Sequence, residues 1–151
     1  MDNQVLAERL KVVLATSFAF ALKAQNYHWN VKGPHFVEYH DFLQEIYETV
    51  YGDADDYAEQ IRFIGMYAPG SFSRFSEMSR IEGEMNIPNA RQMFAKLKDD
   101  NKILLELLNQ LHGVASHLKN VGVSSLIEDK IQYHDKLGWK LSSLVQVTVD
   151  I

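Results

Sequence analysis

The residues in this chain best suited to chemistry are six histidines and a short acidic run. The histidines are His28, His35, His40, His112, His117 and His134; the run is Asp53, Asp55, Asp56 and Glu59. Cysteine is absent. That excludes a disulfide framework, a cysteine nucleophile, an iron–sulfur cluster and a thiolate zinc site. Any metal must therefore be held by His, Asp and Glu. Asp55 and Glu59 lie four apart, so on a helix they share one face. Two carboxylates there suit a hard cation, and adding imidazole shifts the preference toward iron, manganese or zinc. His28 and His40 flank a Gly33-Pro34 turn, which lets their rings be neighbours.

Distance then limits what one chain can do. His40 and Asp55 are separated by 15 positions on one helical segment, about 22 Å along its axis. Donors sit about 2 Å from a metal. The histidine pair and the carboxylate pair therefore cannot share an ion within one chain. Two copies of this helix packed antiparallel can bring them together, crossing near Glu48 to Gly52. Glycine inside a helix costs about 1 kcal/mol relative to alanine, and close approach at a two-fold axis is a reason to keep Gly52. A symmetric pair makes two such sites. A di-iron site inside the bundle would instead need Glu-x-x-His on two helices. The residues three before the histidines are Gln25, Lys32, Val37, Asn109, Val114 and Ile131, and none is glutamate.

These residues must be placed by long helices. Pro34, Pro69 and Pro88 each sit in a turn signal and divide the chain. Apolar residues at helical spacing predict a first helix over about 3–31, on Leu6, Leu10, Val13, Leu14, Phe18, Ala21 and Leu22. A second spans about 36–64. A third starts at Asn89 and ends near 120–122. A fourth starts at Ser124 or Ser125, with Ser125 and Glu128 as a capping box, and runs to about Thr148. Residues 73–81 predict a short extra helix. With no strand pattern or repeat, the fold expected is all-α, a four-helix bundle. A long connection between helices two and three lets helix three run parallel to helix two. Residues 1–151 are read as a single domain.

The segment Asn26-Tyr27-His28-Trp29-Asn30-Val31-Lys32-Gly33-Pro34-His35-Phe36, followed by His40 and by Asp55-Asp56-Tyr57-Ala58-Glu59, resembles the Dps family of mini-ferritins. The likeness is strongest over residues 26–65 and extends loosely across the chain to Trp139. It implies a ferritin-like bundle assembled into a hollow shell of twelve subunits. It also implies ferroxidase sites between two-fold-related chains, Fe(II) oxidation by hydrogen peroxide or oxygen, and storage of ferric mineral. On that likeness His28 and His40 come from one chain, and Asp55 and Glu59 from its partner. Glu59 would bridge two irons, and Asp55 and His28 would complete the first position. His40 would serve a weaker second position. Trp29 matches the tryptophan beside the site, a candidate for electron transfer or radical capture.

Departures from the family pattern matter. Gln44 stands where the family commonly has an aspartate, four residues after the second histidine. A neutral amide is a weaker iron ligand. Leu137 stands where many members have a histidine before the late tryptophan. Glu128 and Asp129 are the candidates for acidic pore-lining residues. Fifteen Lys and Arg against 20 Asp and Glu give a net charge of −5. No basic tail is seen: Arg9 is the first basic residue, and Thr148-Val149-Asp150-Ile151 is not basic. Tight DNA binding is therefore not expected. No segment reads as membrane-spanning and Met1-Asp2-Asn3-Gln4 does not open a signal peptide, so a cytoplasmic protein is expected. His35 reads as turn structure, and His112, His117 and His134 as structural or surface residues. Gly113 and Gly138 suggest tight packing or kinks. Tyr47, Tyr51 and Tyr57 read as core or interface aromatics. The reading is an iron-storing ferroxidase. The alternatives are a catalytically weak structural or DNA-compacting shell, and a di-metal oxygenase-like enzyme on the same fold.

Overall fold

The computed structural model describes residues 2–146. Its elements are α1 (Asn3–Asn30), α2 (Phe36–Phe63), α3 (Phe72–Met78), α4 (Ala90–His117) and α5 (Val121–Val145). Each start has a side-chain reason except α2, which follows directly from the Gly33-Pro34 turn. Asp2 accepts from the Gln4 and Val5 amides, Ser71 caps α3, and Asn89 and Gln92 form a reciprocal capping box on α4. The predicted end of the last helix, near Thr148, lies outside the described residues.

The start of α5 corrects the expectation of a Ser125–Glu128 capping box. α5 begins at Val121, capped by the Asn120 side chain, which accepts from the Val123 amide. The turn before it is shorter than the sequence suggests. The Lys119 amide donates to Ser116 and the Asn120 amide to Ala115, the two bonds of a Schellman ending. That ending requires a left-handed residue, and Lys119 supplies it at φ 57°. Gly122, read as a turn residue, lies in the first helical turn instead.

α1 and α2 form one hairpin, α4 and α5 another. Cross-links fix their direction. Arg9 bonds Gln110, Lys23 pairs with Asp100, and Tyr27 and Lys96 share Glu84. As α1 ascends, its partners on α4 descend, so α1 and α4 are antiparallel and α4 runs parallel to α2. α1 buries more than one stripe because α2, α3 and α4 all touch it. Phe20 rather than Phe18 is fully buried on it, and Leu22, expected in the core, is exposed.

The core has two apolar clusters separated by a polar layer. One cluster includes Phe20, Tyr27, Leu43, Ile46, Phe94 and Leu141; the other includes Leu6, Leu10, Tyr57, Ile61, Leu111 and Ile127. Between them in helical height sit Ser17, Asp53, Lys130 and His134, and Asn101 reaches this layer from α4. The fully buried His134 ring donates from Nδ1 to the Asn101 amide oxygen at 2.6 Å, and Asn101 donates back to the His134 carbonyl at 2.9 Å. Burial, then the Lys130 charge, hold the His134 pKa down at about 4. Gly138 is explained by the same pair: a Cβ there would come within 3.1 Å of the Asn101 amide nitrogen.

The long connection is clipped to the bundle through Glu84. Its carboxylate accepts from Tyr27 Oη at 2.7 Å, Lys96 Nζ at 2.8 Å and the Asn86 amide. Lys23 adds a bond to the Glu82 carbonyl, and Thr16 accepts from the Arg80 amide. The Lys96 and Tyr27 donors hold the Glu84 pKa at about 2, below its ordinary 4.5. A depressed carboxylate stabilises the fold above its unfolded pKa, and that contribution fades as pH falls from 4.5 toward 2. The expected result is that Glu84→Gln lowers the urea midpoint at pH 7 and that the gap to the parent closes on acidification. A gap that is constant with pH would show that Glu84 acts only through shape.

Candidate metal centre

The turn that joins α1 to α2 is tight because Gly33 adopts φ 127°, closed to residues with a Cβ. It sets the two histidines face to face. The His28 Nδ1 donates to the His40 carbonyl at 2.8 Å, and the His40 Nδ1 donates to the His28 carbonyl at 2.8 Å. The rings stack with centroids 3.7 Å apart and 18° between planes. Phe36 stacks against His40, and Tyr47 meets the His28 ring edge-on. A carbonyl oxygen can only accept, so each Nδ1 carries the proton and each Nε2 keeps its lone pair. Imidazoles that ligate metals through one nitrogen commonly donate the other N–H to a carbonyl in this way. Trp29, beside His28, is 63% exposed.

Lys130 sorts the acidic run. Its ammonium sits 2.8 Å from Asp53 and 2.8 Å from Asp56, tying α5 to one side of α2. Asp55 and Glu59 are left exposed. One turn apart on the same helix, Asp55 pushes the Glu59 pKa up, by hydrogen bonding first and then by its negative charge. Among the described residues neither carboxylate has a salt-bridge partner, and two such groups on one exposed face have the chemistry that attracts a cation. At 100° per residue, His40, Gln44, Glu48, Asp55 and Glu59 fall within one arc of about 100° on α2. Gln44 Nε2 donates to Glu48 at 2.8 Å.

The structure thus pairs His28 with His40, and Asp55 with Glu59, at opposite ends of α2. Among the described residues, no three of His, Asp and Glu within the chain are grouped to hold an ion. Sequence reasoning missed Glu48 as the partner of Gln44, though their four-residue spacing was a readable signal. It also missed Lys130, whose partners lie 77 and 74 positions away. His112, read as a structural or surface residue, meets Ser124 at 3.1 Å and Glu128 at 3.6 Å from the neighbouring helix. Leu137 is buried in the core, and Trp139 is exposed.

A four-helix bundle with a long mid-chain connection, a His pair facing across the α1–α2 turn and a carboxylate pair further along α2 has the layout of a ferritin-like protein. Residues 7–149 match the ferritin-like domain family. An uncharacterised protein of Haemophilus influenzae is 28% identical, the alignment covering 97% of this chain and 91% of the relative. The DNA protection during starvation protein of Helicobacter pylori is 27% identical, over 90% of this chain and 95% of its own. The crystal structure of a Dps protein from Vibrio cholerae superposes with a TM-score of 0.92 at 29% identity, covering 95% and 91% of the two chains. It is described as a member of a broad superfamily of ferritin-like diiron-carboxylate proteins. This chain belongs to the Dps family of mini-ferritins. That membership supports ferritin-type iron binding, iron oxidation and iron storage in general terms. No described helix is long and apolar enough to cross a membrane.

Proposed function

We propose that this chain oxidises Fe(II) at sites shared between two copies related by a two-fold axis, and stores the ferric product inside a twelve-subunit shell. The observation that carries this reading is the reciprocal bonding of His28 and His40, which leaves two Nε2 lone pairs free. It is supported by the Asp55–Glu59 carboxylate pair about 22 Å further along the same helix, reachable only by a partner's copy of α2. Gly52 agrees with a close antiparallel crossing, since a Cβ there would meet nothing within 4 Å in its own chain.

In this reading both Fe(II) and hydrogen peroxide are substrates. His28 of one chain and Asp55 and Glu59 of the other hold the first iron. Glu59 also reaches toward a second, weaker position served by His40. Each Fe(II) gives one electron, so two oxidations reduce one peroxide and two protons to two waters, with no hydroxyl radical released. In the same reading Trp29, beside His28, donates an electron or absorbs a stray radical. The net charge of −5 argues against tight DNA binding. A second reading, a shell with weak catalysis, is favoured by one observation, the neutral Gln44.

The test is to add Fe(II) to metal-free protein without oxygen, introduce peroxide, and follow iron and protein through size exclusion. Iron eluting with a high-mass assembly, at many atoms per chain, is the expected result. Iron that precipitates, or stays ferrous beside an intact assembly, would move the weak shell to the front.

A further inference from the structure

The substitution at Gln44 need not empty the second iron position, because its amide is held in one orientation. A primary amide can turn either its oxygen or its NH2 group to a cation, and only the oxygen is a donor for one. Glu48, one turn further along α2, decides which. Its carboxylate can only accept, so the 2.8 Å contact fixes the Gln44 nitrogen against residue 48. The amide is planar. With the nitrogen engaged, the oxygen is the atom left for a cation; His40 stands one turn back on the same face of α2, with its Nδ1 bonded to a carbonyl and its Nε2 left over.

We infer that Glu48 is a positioning residue: it locks the Gln44 amide so that the oxygen, with His40, presents a neutral O,N donor pair to a second divalent cation. This rests on the proposed metal centre. Glu48 acts through Gln44 rather than as a ligand, and the position so built carries one negative charge fewer than an aspartate would give. The second cation is then bound more weakly than the first but at a defined place.

The test uses Co(II), whose visible absorption reports on its ligands, added stepwise to the assembled metal-free protein. The parent is expected to show two binding steps per site. Glu48→Ala and Gln44→Leu should weaken only the second step, by about 10- to 100-fold, the range for loss of a partner that orients a metal ligand. Glu48→Gln, which keeps an acceptor oxygen for the Gln44 NH2 group, should retain both steps. Glu48 is exposed, so the unfolding temperature should stay unchanged in all three. Equal loss in Glu48→Gln and Glu48→Ala would show that Glu48 acts by charge and would overturn the inference. So would an unchanged second step in Glu48→Ala, or a single step in the parent. His28→Ala separates the two readings: it should abolish the first step, and if no Co(II) step depends on His28, the metal centre falls and the role of Glu48 with it.

Discussion

Replacing Glu59 by alanine is expected to cut the rate of Fe(II) oxidation about 100-fold or more, since losing even an outer partner of a metal ligand weakens a site by 10- to 100-fold. The same change should leave stability equal or slightly raised. Glu59 is exposed and stands one turn from the like-charged Asp55, whose proximity raises its pKa. Removing it relieves that repulsion. Activity and stability therefore move in opposite directions, which separates a functional loss from an unfolded protein. His28→Ala should be as damaging to the rate, but it also removes the donor to the His40 carbonyl and the stacked ring. Stopped-flow absorbance after mixing with peroxide, beside a thermal melt, checks both. Iron oxidation at parental rates in the Glu59 variant would remove it from the site.

Replacing Lys130 by methionine is expected to destabilise the fold by about 3–5 kcal/mol, the range for removing one partner of a buried ion pair. For a chain of this length that is roughly a 10 °C loss in Tm. Asp53 is the reason. Its side chain is 8% exposed, and its bond to Lys130 is what offsets burial. Burial already pushes its pKa above the ordinary 3.8. Without Lys130 it rises further. A carboxyl whose folded pKa is raised loses stability as pH climbs from its unfolded pKa through the folded one. The variant should thus be closer to the parent at pH 5 than at pH 7.5. Adding Asp53→Leu should recover much of the loss, because no buried charge is then left unpaired. A Tm within 2–3 °C of the parent at pH 7.5, about 1 kcal/mol by the same conversion, would mean that Asp53 has another partner.

The helices were readable because apolar spacing and three prolines are local signals. The split of the site was readable for the same reason: a rise of about 1.5 Å per residue separates His40 from Asp55 without any knowledge of the fold. Other features depended on contacts that no local pattern carries. The start of α5 was misplaced because the left-handed residue ending α4 is Lys119, where glycine would have announced the turn. The choice of Asp55 and Glu59 from four neighbouring acids rested on their four-residue spacing and on resemblance; what occupies Asp53 and Asp56 instead is a lysine on another helix. His134 gave no hint of Asn101, 33 positions away, and Gly138 made sense only once that amide was seen beside it. Gln44 read only as a weaker ligand, and its bond to Glu48 was not read, because its identity is local information and its orientation is not.

The central claim is that each site draws histidines from one chain and carboxylates from another, and complementation tests it most directly. Chains carrying His28→Ala and chains carrying Glu59→Ala are each expected to be inactive alone. Co-assembled, a mixed pair has one site with both changes and one with neither. Random pairing of equal amounts makes half of the pairs mixed, so about one quarter of the sites should work. Recovery of oxidation toward that fraction is the predicted result. A mixed assembly no more active than its parents would place the whole site within one chain and contradict the account.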